Sequence, residues 1–277
     1  MDRRGNRLLH TLSDHPIAVA DKLVHSGKRY RYRLDFQYDG TNFHGMQWQP
    51  ERRTVQRCLE DALGPLFETK VRVIPSSRTD AGVHASQQVA HIDVPVERPL
   101  NSIVRAVNVR LPEDIRICSA KAVDHNFHAR FSAKWRGYRY RISRKPQAIG
   151  RQYVWQYHQP LDYDKLVSLT ESVLGTHSFA AFSHDSPVER HDYECTVFRS
   201  EWQQDGDRLI YSIDASRFVH GMVRMLVGSM VDYACDRRSG RTLSEILESG
   251  DNRNAGTKAP ACGLTLETVG YATWPNP

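Results

Sequence analysis

A chain of 277 residues with 40% hydrophobic and 25% charged side chains can bury a full core, as one large domain or two modest ones, which excludes a disordered chain. Its net charge of +6 suits a polyanionic partner such as nucleic acid, although a basic but ordinary enzyme fits the same value. Five cysteines with no Cys-x-x-Cys pair argue against a disulfide framework and for a reducing, cytoplasmic compartment. No apolar run reaches membrane-spanning length, and residues 1–27 read as a basic extension without a secretory signal.

From Lys28 to Tyr38 the residues alternate strictly, with Tyr30, Tyr32, Leu34, Phe36 and Tyr38 on one face and Arg29, Arg31, Arg33, Asp35 and Gln37 on the other. That is the pattern of a half-buried strand. Thr54 is placed to cap a helix whose Val55, Cys58, Leu59, Ala62, Leu63 and Leu66 recur at helical spacing. Strands follow at 71–74 and 87–94, then a helix over 101–109 and a strand over 115–123. The order strand, helix, strand, strand, helix, strand is that of a ferredoxin-like unit spanning residues 28–123. A second unit, 124–277, opens on a strand with Arg136, Tyr138, Tyr140 and Ile142 on one face and Arg139 and Arg141 on the other. It continues with a helix over 162–174, strands over 195–203 and 208–215, a long helix over 217–234 and a strand over 264–270. The fold class expected is α+β, with two similar halves and a cleft between them.

Two places carry chemistry. Asp80, in Ser77-Arg78-Thr79-Asp80-Ala81-Gly82-Val83-His84-Ala85, sits between an arginine and a glycine turn in the connection joining two strands. It either caps that turn or is displayed as a reactive group. Arg224 lies in the apolar helix, where Phe218, Val219, Met222, Val223, Met225, Leu226, Val227, Met230 and Val231 cover every side. A guanidinium buried there needs a partner, and a carboxylate best satisfies its planar fork of donors. Gly221 and Gly228 would let this helix approach another backbone closely. His177, His184, His191 and Cys195 form the nearest thing to a metal cluster, but their spacing matches no zinc motif, so no metal site is predicted.

The run Ser77–Ala85 closely resembles the catalytic motif of the tRNA pseudouridine synthase A family, whose members isomerise uridine in the anticodon stem-loop. Further segments resemble the same family: Tyr38–Gly45, Thr54-Val55-Gln56, Phe127–Ala133 leading into Arg136–Tyr140, Phe218–Arg224 and Ala259–Leu264. Met46, Ser77 and Cys195 stand where the family usually has tryptophan, glycine and arginine. The resemblance implies that Asp80 is the essential catalytic residue, that Tyr138 lies against the target base and that Arg224 pairs with Asp80. It also implies two α+β halves with joined antiparallel sheets, a central basic cleft for tRNA, and a homodimer. The reaction breaks the glycosidic bond, turns the base and rejoins it through carbon, with neither an external reactant nor a redox step, so no cofactor is expected. A base within a stem must leave its stack to be reached, and Arg78 is suited to fill the space it vacates. Arg29, Arg31, Arg33, Arg139 and Arg141 on the two opening strands, with Arg52, Arg53, Arg144 and Lys145, would hold phosphates without reading sequence. Two alternatives remain at this point: a pseudouridine synthase acting on another RNA, and an RNA-binding folding factor.

Overall fold

The alternating arginine-tyrosine run builds strand β1 (Tyr30–Tyr38), and the first half of the chain adds three strands and two helices to it. These are α1 (Val55–Phe67), β2 (Ile74–Pro75), β3 (His84–Val94), α2 (Leu100–Asn108) and β4 (Ile115–Ala122). The second half contributes β5 (Trp135–Ser143), β6 (Trp155–Gln156), α3 (Tyr163–Ser168), β7 (Gly175–Ser178), β8 (Glu194–Asp205), β9 (Arg208–Ala215), α4 (Met222–Ala234), α5 (Leu243–Ser249) and β10 (Leu264–Gly270). The computed structural model describes residues 27–184, 192–237 and 241–274.

All strands belong to one sheet, ordered β4-β1-β3-β10-β5-β9-β8-β7, with β2 on β3 and β6 on β5. The first half therefore runs β4-β1-β3-β2 and the second β10-β5-β9-β8, the same 4-1-3-2 order of an antiparallel ferredoxin-like unit used twice. One short parallel ladder welds the halves: Thr265 of β10 lies opposite His84 of β3, and Leu266 opposite Ala85. Helices cover one face. There, Tyr32, Leu34 and Phe36 meet Leu59, Leu63 and Phe67 of α1 in the first half, and Tyr140, Tyr211 and Trp202 lie beneath Leu226, Val227 and Met230 of α4 in the second; all belong to one buried core. Burying such side chains contributes about 1.5–3 kcal/mol each.

Four expectations are corrected. The strand expected at 71–74 is only Ile74–Pro75, because the Val73 backbone is satisfied by α1 side chains instead of a ladder: its N–H donates to Glu60 and its carbonyl accepts from Gln56. The helix expected over 162–174 divides into α3 and a single turn at Glu171–Val173, and β7 follows directly. The hydroxyls of Ser168, Thr170 and Ser172 each bond a carbonyl three residues back and compete with the helical pattern. The long helix begins at Met222, not 217, since Gly221 adopts the left-handed region at φ 78° just before it. Helix α5 was not foreseen although Thr242 and Glu245 form a reciprocal capping box.

Gly228 explains how α4 meets the segment carrying Ala259. A Cβ at this position would lie 1.7 Å from the Thr257 carbonyl oxygen, so only glycine lets helix and segment touch. Gly228→Ala should lower the unfolding free energy in urea by about 1–3 kcal/mol. An unchanged midpoint would contradict this close approach.

Candidate active site

The connection between β2 and β3 is pinned along nearly its whole length. Ser76 donates its N–H to Val89 and its hydroxyl to Gln88, and Gln88 returns an amide hydrogen to the Ser77 carbonyl. The Tyr38 and Thr79 hydroxyls bond at 2.7 Å, and Met46 donates its N–H to the Thr79 carbonyl. Gly45, at φ 91°, lets this neighbouring turn press on the loop, because a Cβ there would stand 2.8 Å from the same carbonyl oxygen. From the second half, the buried Arg136 donates to the carbonyls of Ser76, Arg130, Ala133 and Ser216, tying loop, linker and the end of β9 into one knot. What the loop leaves to project is Arg78 and Asp80.

Asp80 meets Arg224 across 144 residues of sequence. Nη1 of Arg224 donates to Oδ2 at 2.9 Å, and its Nε donates to the Ala259 carbonyl at 2.7 Å. Ala259 N–H in turn donates to the Arg224 carbonyl, so helix and closing loop fix this guanidinium from two directions. Two further groups face the carboxylate: Nζ of Lys258 lies 3.4 Å from Oδ2 and Nε2 of His220 lies 3.4 Å from Oδ1. Burial alone would raise the Asp80 pKa. The His220 hydrogen bond and the charges of Lys258, His220 and Arg224 outweigh it and hold the carboxyl well below the usual range. The arrangement is that of a permanently ionised, aimed carboxylate.

Tyr138 lies on β5 beside this group, buried, with the Phe218 ring edge-on at 4.9 Å between centroids. Burial pushes its phenol well above the ordinary value, against a hydrogen bond with Ser77, so it stays neutral. Arg78 is exposed and has no ion-pair partner among the described residues. The structure thus brings Asp80, Arg224 and Tyr138 together, with Arg224 part-buried and carboxylate-bound. Sequence reasoning gave no role to His220, which lies inside the segment Phe218–Arg224, or to Lys258, which immediately precedes Ala259–Leu264.

The arginine rows fall elsewhere. The alternation that sends Tyr138 and Tyr38 toward the Asp80 loop sends Arg31, Arg33, Arg139 and Arg141 to the reverse of the sheet, so they do not line the space around Asp80. Several also have carboxylate partners: Arg31 with Asp93, Arg33 with Asp35, Arg53 with Asp114, Arg141 with Glu267 and Lys145 with Asp207. Arg144 donates to the Gly206 carbonyl, while Arg29, Arg52 and Arg139 are exposed. Met46 is fully buried behind the loop and Cys195 is buried in β8. All five cysteines are free thiols. No cluster of metal-ligating side chains occurs among the described residues; of the four considered, His191 lies outside them.

A family model described as tRNA pseudouridine synthase matches residues 36–132 and 169–272. Proteins curated as tRNA pseudouridine synthase A are similar over most of their length. That of Rippkaea orientalis is 38% identical, covering 90% of this chain and 86% of its own. That of Latilactobacillus sakei is 37% identical, covering 87% and 98%, and that of Dechloromonas aromatica 39% identical, covering 84% and 90%. Among solved structures, a chain of a Cbf5-Nop10-Gar1 complex aligns at 10% identity over 72% of this chain and 53% of its own, with a TM-score of 0.32.

Two outcomes follow from the charged cluster. Arg224→Met should cost about 1–3 kcal/mol of stability by urea unfolding, since it strands a half-buried carboxylate; equal stability would show that the pair carries nothing. Because the folded pKa of Asp80 is depressed, its stabilising contribution is complete above the ordinary carboxylate value of about 3.9 and is lost only as pH falls through the lower folded value. A carbon-13 titration of the Asp80 carboxyl should accordingly show it ionised at pH values where exposed aspartates are protonated. A midpoint at or above the ordinary value would refute the cluster.

Proposed function

Because the chain belongs to the tRNA pseudouridine synthase family, we propose that it converts uridine to pseudouridine in the anticodon stem-loop of tRNA, with Asp80 as the attacking carboxylate. The family makes it an isomerase. The observation that carries the residue assignment is the cluster of His220, Lys258 and Arg224 that keeps Asp80 ionised on a pinned loop. A nucleophile for this reaction must be charged at neutral pH and must not move. Arg224, bonded to both Asp80 and a backbone carbonyl, holds the aim. Tyr138, neutral and wedged against Phe218, presents an apolar surface to the base and a hydroxyl for the proton shed from carbon after rejoining.

The target base must leave its stack to reach a carboxylate set this deep, and Arg78, exposed and unpaired two residues away, fills the gap. Phosphates are met by Arg78 and Arg52, which have charge to spare, while the arginines bound to carboxylates on the reverse face serve mainly to hold the sheet. Residues 28–123 supply the catalytic loop and 124–277 supply Arg224 and Tyr138. A cytoplasmic homodimer is part of the same reading; no helix among the described residues is long and apolar enough to cross a membrane.

Asp80→Asn keeps the shape and removes the charge, so it should bind tRNA as the parent does and form no pseudouridine in a single-turnover assay. Turnover near the parent rate would remove Asp80 from its role. Chemical mapping of pseudouridine in total RNA with and without the gene should show loss confined to the anticodon stem-loop; loss in another RNA would reassign the substrate. Binding should weaken linearly on a log-log plot against salt. Arg78→Ala should reduce that slope by about one, whereas Arg31→Ala should leave the slope and cost stability instead.

A further inference from the structure

Asp80 has more positive partners than its one charge requires, and they differ in kind. Arg224 is immobilised by two hydrogen bonds, one to Asp80 and one to the Ala259 carbonyl. Lys258 reaches Oδ2 at 3.4 Å through a flexible four-carbon stem, is about one quarter exposed, and has no carboxylate partner besides Asp80 among the described residues. Its ammonium also passes close to Gly221, where a Cβ would stand 3.1 Å from Nζ, so the space around it is bounded by the turn that opens α4. Arg224 alone suffices to pair with the resting carboxylate. Lys258 therefore needs another reason.

The reaction supplies one whichever route Asp80 takes. If it attacks the sugar, a bond forms from a carboxylate oxygen to C1′ while the C1′–N1 bond breaks and N1 keeps the electron pair. If it adds to the base, a bond forms to C6 while the C5–C6 π pair moves onto the ring and its O4. If it removes the C2′ proton, that proton ends on the carboxylate, the C2′–H pair becomes the C1′–C2′ double bond, and N1 takes the C1′–N1 pair. In every case the carboxyl group ends neutral and the base carries one negative charge. A cation fixed to the carboxylate cannot follow this transfer, but one on a flexible stem can.

We propose that Lys258 is the mobile cation of the site, which contacts Asp80 at rest and moves to the uracil anion once the negative charge has passed to the base. This rests on the reading of Asp80 as the attacking group. The charged and titratable groups around that carboxylate come from every element packed on it: Lys258 from the closing loop, Arg224 from α4, His220 from the turn before α4, and Tyr138 from β5. With Arg224 and His220 still in place, loss of Lys258 leaves Asp80 charged and aimed. The defect belongs to the chemical step.

The test compares Lys258→Met and Lys258→Arg in the full chain, by single-turnover pseudouridine formation on a tRNA transcript together with the dissociation constant for that transcript. Lys258→Met should lower the saturated rate by about tenfold or more while changing affinity by less than about threefold. Lys258→Arg should recover most of the rate. The deficit should be the same from about pH 6 to about pH 8, because Arg224 still holds Asp80 in both proteins. A loss confined to affinity would make Lys258 a phosphate contact. A deficit that disappears as pH rises would mean that it only keeps Asp80 ionised, and an equal deficit in Lys258→Arg would mean that it only packs; each result overturns the proposal. Should Lys258→Met not fold, Lys258→Gln carries the same comparison. Failure of the underlying reading is separate, since it appears as turnover by Asp80→Asn with Lys258 intact.

Discussion

The hydrogen-bonded ion pair between Asp80 and Arg224 is the constraint that gives the rest of the molecule its purpose. Its two members come from opposite halves of the chain, and each supplies the other with a charged partner. Burial would drive a carboxylate at this depth toward its neutral form were it not for Arg224, His220 and Lys258, and without Asp80 the guanidinium would keep only the Ala259 carbonyl as acceptor. Side-chain exposures of 16% and 19% keep the pair largely out of solvent screening.

Most of what fixes this pair reaches backbone atoms. The loop carrying Asp80 is bonded on one side to β3 through Gln88, on another to the Gly45-Met46 turn, and on a third to Arg136 of the second half. The parallel ladder between β3 and β10 then sets the distance between the halves, because β10 continues directly from the closing loop that holds Arg224. A nucleophile must hold its position to a fraction of an ångström. Backbone bonds to rigid strands achieve that better than side-chain contacts alone.

Much of this was legible in the residues themselves. Alternation over Lys28–Tyr38 and Arg136–Ile142 marked the two opening strands, and the repeated order of elements announced a duplicated unit. The apolar girdle of α4 required an acceptor for Arg224, and a carboxylate was its natural form. What escaped the sequence depended on contacts between distant segments. Nothing local shows that Val73 bonds to helix side chains and forms no ladder there. The arginine rows illustrate the same limit. Alternation showed that they share a face, but only the joined sheet shows that this face is turned away from Asp80 and carries carboxylates for them. His220 and Lys258 were hidden because the carboxylate they face is far from them in sequence.

The central claim is that Asp80 and Arg224 act as one unit joining the two halves, and a double-mutant cycle tests it most directly. Urea unfolding of the parent, Asp80→Asn, Arg224→Met and the double variant should give a coupling free energy of about 1–2 kcal/mol, the double variant being less destabilised than the two single changes added together. Strict additivity, with a coupling energy near zero, would mean that the two side chains do not depend on each other and would contradict the account.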